Sequence, residues 1–160
     1  LQVQKLYIEG YEADDLIANI CKYSKDDCIV VTYDKDMLQL IKYPHVKIYN
    51  PQKKLMLDEA YVKEKYNISS EYFDLYLALV GDSADNVKGV RNIGPKRASA
   101  LINNTNGDID SICSCIKIEK NYLLSQLSLV RFLECNVYYE SKRIQKEKVF
   151  LDFLIKYEMA

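Results

Sequence analysis

The spacing of apolar residues changes character partway along the chain. At positions 13, 16, 17, 20 and 21 it follows one helical face, which predicts an amphipathic helix from Glu12 to about Ser24. Leu6-Tyr7-Ile8 before it reads as the tail of a strand. Cys28-Ile29-Val30-Val31-Thr32 is a continuous, largely β-branched run, the pattern of a strand buried on both faces of a parallel sheet. Asp36 to Ile41 predicts a short helix and Val46 to Tyr49 another strand. Asn50-Pro51 turns the chain, and Leu55 to Leu57 forms a further strand or hairpin arm. From Asp58 onward the pattern is helical. One helix opens at Asp58-x-x-Tyr61. The next is capped by Ser69-Ser70-Glu71 and runs through Val80. A third starts at Pro95 and reaches about Ile102. Others are expected over 109–116, over about 121–141 and over the tail, 144–160. An α/β segment, 1–57, thus precedes a helical segment, 58–160. Three or four strands make a small sheet, so the α/β segment reads as part of a larger domain.

Composition narrows the class without naming an activity. The chain has 160 residues, 49% hydrophobic and 28% charged, as expected for a globular protein with a real core. No apolar run approaches a membrane span, and no signal peptide opens the chain. Cys21, Cys28, Cys113, Cys115 and Cys135 form no Cys-x-x-Cys pair. They are expected to be reduced thiols of an intracellular protein, in the cytosol or an organelle. His45, next to Pro44, is expected on the surface.

The net charge of -1 conceals a strong separation of sign. Seven carboxylates fall in three short clusters: Glu12-Ala13-Asp14-Asp15, Asp34-Lys35-Asp36 and Asp82-Ser83-Ala84-Asp85. Acids at 12, 14 and 15 would complement a helix dipole, but three together repel one another. Asp34 and Asp36 follow the buried strand, where open α/β sheets bind ligands; Asp34 also suits the cap of the next helix. Asp82 and Asp85 follow a helix C-terminus, whose dipole disfavours them unless a cation is close. Converging carboxylates suit hard divalent ions. Lys35 between two acids either neutralises them or touches a substrate phosphate.

Residues 86–97 carry Lys88, Arg91, Lys96 and Arg97 with no acid. Gly89 and Gly94 punctuate this stretch and are expected to allow left-handed backbone and close chain approach. The helix beginning near Pro95 would point free N–H groups and its positive end outward, toward phosphate. Such contacts grip a nucleic-acid backbone without reading sequence.

Gly10-Tyr11-Glu12-Ala13-Asp14-Asp15, Tyr33-Asp34-Lys35-Asp36, Gly81-Asp82-Ser83-Ala84-Asp85-Asn86, Gly89-Val90 and Ile93-Gly94-Pro95-Lys96 occur in this order. As an ordered set they resemble the 5′-3′ exonuclease domain of bacterial DNA polymerase I, within the flap endonuclease family, over about residues 6–140. The resemblance implies a PIN-like (Rossmann-like) parallel-sheet nuclease core, N-terminally truncated, and then a helical region with a helix–hairpin–helix (helix–three-turn–helix) element at about 71–103. It implies two or more Mg²⁺ or Mn²⁺ ions. Glu12 and Asp14 would hold the first, Asp15 would lie between the two, and Asp34, Asp36, Asp82 and Asp85 would serve the second. Lys88, Gly89, Val90, Arg91, Ile93, Gly94, Lys96 and Arg97 would hold duplex DNA, with a potassium ion on the carbonyls near Val90 and Ile93. Two positions depart from the family pattern: Lys88 replaces a proline and Tyr33 a small residue. The family's early aspartates and its arch have no counterpart in these residues, so the chain resembles the C-terminal part of the nuclease domain.

The function expected on this basis is metal-dependent 5′-3′ exonuclease and 5′-flap endonuclease activity on DNA, in primer removal and repair. Two other classes fit parts of the pattern. One is a non-catalytic duplex-binding module using only the basic hairpin. The other is a PIN-like RNA nuclease, which the duplex-suited hairpin disfavours.

Overall fold

In the computed structural model, residues 5–83 and 85–135 are described. Three strands, β1 (Cys28–Val31), β2 (Val46–Asn50) and β3 (Leu55–Leu57), form one sheet in that order. β1 and β2 are parallel, with Val30 opposite Ile48; β2 and β3 are antiparallel, with Ile48 opposite Leu57. A parallel pair needs a crossover. Here it runs through a 3₁₀ helix, Asp36–Lys42, which buries Met37, Leu38, Leu40 and Ile41. The predicted short helix is therefore wound more tightly than an α-helix, with Leu38 N–H donating to Lys35 C=O and Tyr43 N–H to Leu40 C=O.

Helix α1 (Ala13–Tyr23) precedes the sheet, and α2 (Glu59–Tyr66), α3 (Phe73–Val80), α4 (Pro95–Thr105), α5 (Ile109–Ile116) and α6 (Lys120–Val130) follow it. Asp58 caps α2 by accepting from Tyr61 N–H, as its spacing predicts. Asp108 caps α5 in the same way through Ser111 N–H. One continuous core runs from Ala18 to Val130, so the sheet and the helices share their packing. At its centre Phe73 is fully buried, edge-on to Tyr66 at 4.9 Å and stacked with Tyr76 at 5.8 Å. No described helix is long and apolar enough to cross a membrane.

The structure corrects several expectations. Leu6–Ile8 forms no strand. β1 is buried on one face only: Val30 packs inward, whereas Ile29 and Val31 are exposed. The hydrophobic run reports a strand suited to two covered faces, but the described residues cover just one. α6 stops at Val130 because α1 captures the chain that follows. Leu133 N–H donates to Asp15 Oδ1 (2.7 Å) and Cys135 N–H to Asn19 Oδ1 (3.1 Å). Residues 131–135 are accordingly non-helical; positions 136–141 and the predicted tail helix lie outside the described residues. His45 is half-buried, its Nε2 2.7 Å from Cys21 O. All five cysteines are free thiols.

Replacing Phe73 with Ala empties the centre of this shared core. We expect a loss of about 3–5 kcal/mol in stability by denaturant titration, with one transition for sheet and helices together; separate transitions would show that the two parts do not share a core.

Candidate functional site

The sheet and α3 deliver two of the acidic clusters to one place. Past the end of β1, the chain turns at Thr32–Asp36. Asp34 N–H donates to Thr32 Oγ1 (3.0 Å) and Asp36 N–H to Asp34 Oδ1 (2.8 Å). Asp34 thus closes a tight turn just before the 3₁₀ helix, whose N-cap position is Lys35. Past the end of α3, Asp82 and Val87 exchange both backbone hydrogen bonds (2.9 and 2.8 Å), closing a small loop that carries Asp85. Asp36, Asp82 and Asp85 each offer a carboxylate oxygen, and the three atoms lie within 4.8 Å of one another. Asp82 is buried, and Lys35 Nζ lies 2.5 Å from its Oδ2. Asp36 Oδ1 is buried without a hydrogen-bond partner among the described residues.

This crowding is costly for anions. Burial, and then Asp34, Asp82 and Asp85, push the Asp36 carboxyl up to about 7 from 3.8, against the opposing pull of Lys35. Asp14 is likewise held above the usual carboxylate range, by burial first and then by Asp34, Glu12, Asp15 and Asp85. Asp34 and Asp85 therefore act on both Asp14 and Asp36, linking the α1 acids to the group of three. The set is all oxygen and net negative, the donor chemistry of hard divalent cations.

Asp15, expected between two ions, is held by backbone contacts at the start of α1. Its Oδ2 accepts from Glu12 N–H (3.2 Å) and its Oδ1 from Leu133 N–H. Both oxygens are engaged by backbone, and the residue ties α1 to the segment after α6. Glu12 is the exposed N-cap of α1.

The basic hairpin is attached to the acidic loop by a backbone crossing. Gly81 and Gly89 both have positive φ, +84° and +64°. A Cβ on Gly89 would lie 2.6 Å from Gly81 N, and one on Gly81 would lie 2.9 Å from Gly89 N. Only glycine fits either position. Val90 N–H donates to Leu79 C=O (2.8 Å), and Ile93 N–H to Val90 C=O (3.0 Å). Val90 and Ile93 bury their side chains, while Lys88, Arg91, Lys96 and Arg97 are exposed. Gly94 departs from expectation: its φ is −93° and a Cβ there would touch nothing within 4 Å. The left-handed turn residue is Asn92 instead, at φ +64°. The open space at Gly94 leaves the N-terminus of α4 accessible.

Two residues of α6 that sequence reasoning passed over hold this turn. Gln126 Oε1 accepts from Gly89 N–H (3.1 Å), and Tyr122 O–H donates to Gly89 C=O (2.6 Å). A buried Gln in an otherwise apolar helix face was the available signal for the first. Tyr122 carried none.

Comparison with known proteins bears on the fold. Residues 1–67 match the model of the 5′-3′ exonuclease, N-terminal resolvase-like domain. The 5′-3′ exonuclease of Buchnera aphidicola subsp. Acyrthosiphon pisum is 36% identical over 104 residues, covering 63% of this chain and 36% of that protein. The 5′-3′ exonuclease of Aquifex aeolicus is 41% identical over 104 residues, covering 61% and 34%. DNA polymerase I of Rhizobium leguminosarum is 37% identical over 107 residues, covering 65% of this chain and 10% of that one. The chain thus spans about a third of the length of these exonuclease relatives. Among solved structures, the bacteriophage T5 protein co-crystallised with metal ions superposes with a TM-score of 0.69 at 25% identity, covering 78% of this chain and 51% of that one. The T5 flap endonuclease in complex with DNA and metal ions gives 0.68 at 25%, covering 77% and 50%. The fold is the resolvase-like, PIN-like nuclease fold, and the resemblance read from the motifs holds.

The raised Asp36 carboxyl sets a pH dependence. In the absence of divalent cations the folded protein keeps this proton up to about pH 7, whereas the unfolded chain releases it near 3.8. Stability from this group is complete below the lower value and disappears as pH rises through the higher one. We expect the melting temperature in chelator to fall across that window, and Asp36→Asn to remove this component. An equal fall in the variant would show that Asp36 does not titrate there.

Proposed function

We propose that this chain carries part of the active centre and the duplex-holding element of a metal-dependent 5′ nuclease acting on DNA ends and flaps. The observation that carries the reading is the convergence of Asp36, Asp82 and Asp85, from two elements far apart in sequence, beside a one-signed basic hairpin on the same backbone crossing. The metal-bound and DNA-bound T5 neighbours support it.

In this reading Asp36, Asp82 and Asp85, with Asp34 beside them, hold one divalent ion, Mg²⁺ or Mn²⁺. Glu12 and Asp14 serve a second, about 3.5–4 Å away in two-metal sites generally. Bound ions of this kind activate water and neutralise charge on a phosphodiester. The chain's own residues prepare that chemistry. The backbone bonds between Asp82 and Val87 fix the loop that aims Asp82 and Asp85. The Asp34 turn fixes Asp36. Lys88, Arg91, Lys96, Arg97 and the α4 N-terminus take the phosphates of the duplex behind the cut, and the Val90 and Ile93 carbonyls suit a potassium ion. Recognition is then by shape and backbone, as primer removal and repair require.

A second reading is duplex binding without cleavage. It is favoured by the exposed, one-signed basic hairpin, which takes backbone phosphates without any metal.

Cleavage of a labelled 5′-flap duplex in Mg²⁺ or Mn²⁺ separates the two, using the chain alone and joined to the rest of its domain. We expect Asp34→Asn and Asp85→Asn to lower cleavage at least about tenfold while duplex affinity is kept. Cleavage unchanged in both, or absent from every form of the unsubstituted protein, would favour the binding module. Lys96→Ala with Arg97→Ala should weaken duplex binding and reduce the slope of log affinity against log salt by about 2. An unchanged slope would remove the hairpin from the interface.

A further inference from the structure

We propose that Lys35 is a displaceable counter-ion: its ammonium occupies the cation position of the Asp36–Asp82–Asp85 group and leaves when a divalent ion arrives. This rests on the metal reading of the site and assigns Lys35 a role within it.

The ion pair is asymmetric. Asp82 is buried, whereas half of the Lys35 side chain is exposed. A buried carboxylate deprived of its cation is strongly unfavourable. Lys35, by contrast, loses little by returning to water, because its flexible stem lies at the surface and its head is well solvated there. One partner is fixed and needs positive charge; the other can depart. Neighbouring geometry points the same way. Asp82 Oδ2, which Lys35 touches, belongs to the carboxylate whose oxygens converge with those of Asp36 and Asp85 within 4.8 Å. Asp36 Oδ1 lies buried beside it with no hydrogen-bond partner among the described residues, an acceptor that the Lys35 contact leaves unserved. A single ammonium neutralises one carboxylate; a divalent ion answers several at once. Lys35 sits in the turn between Asp34 and the 3₁₀ helix, so its departure disturbs neither core nor sheet. The two sequence readings of this lysine then become two positions of one side chain: paired with Asp82 when the metal is absent, and free to face a phosphate when it is present.

The test measures Mn²⁺ binding to the metal-free chain, by the electron paramagnetic resonance signal of free Mn²⁺, without reference to cleavage. Lys35→Met keeps the stem and removes the competitor. We expect Mn²⁺ to bind about tenfold more tightly, and the melting temperature without divalent ions to drop and recover when Mn²⁺ is added. Lys35→Arg keeps the charge and should bind Mn²⁺ no more tightly than the unsubstituted chain. Lys120→Met makes the same change in net charge at the exposed pair with Asp110, and should leave Mn²⁺ affinity within about twofold because exposed charges are screened. Equal affinity in Lys35→Met and Lys120→Met would overturn the proposal. Asp82→Asn separates this failure from a wider one. If it weakens Mn²⁺ binding while Lys35→Met does nothing, only the Lys35 role falls. If neither variant alters Mn²⁺ affinity, or the unsubstituted chain binds none, the metal reading and this proposal fail together.

Discussion

The crossing of the backbone at Gly81 and Gly89 is the constraint on which the candidate site depends. Two main chains pass so closely that a single Cβ on either would strike the other's backbone. The contact joins the end of α3, where the acidic loop begins, to the first residue of the basic turn. Positive and negative elements that would drift on separate loops are thereby held on one rigid corner. α6 completes the arrangement by bonding both the N–H and the C=O of Gly89. These are buried or half-buried polar groups that would otherwise be costly to leave unmet.

A second constraint is electrostatic. Burial and the neighbouring acids work against the Asp36 carboxylate, and folding has placed the group together anyway. A positive charge placed close by would relieve it. Lys35 supplies part of that relief from within the chain. The protein therefore contains both the strain of the acidic cluster and a partial answer to it, and the two lie one residue apart at Lys35 and Asp36.

Much of this could be read from the residues, for identifiable reasons. The start of α4 announces itself because proline suits a first helical turn. Asp36, Asp82 and Asp85 could be singled out because each comes shortly after a hydrophobic element, β1 or α3. What escaped depended on partners without a sequence signature. Asp15 also accepts the backbone N–H of Leu133, 118 positions away, and an amide is invisible in a sequence. Gly94 looked like a turn glycine, yet Gly81 makes the close contact; spacing alone does not distinguish a glycine needed for its φ from one that leaves room. The β-branched run at 28–32 correctly gave a strand, but it does not say whether the described residues cover both faces.

That half-covered strand has a consequence for handling. Among the described residues β1 lies at the rim of the sheet, with Ile29 and Val31 exposed on one face. A rim strand bearing exposed β-branched residues is a template on which further strands can grow. Replacing Ile29 or Val31 with a charged residue would blunt that template without touching the core, since neither side chain is buried.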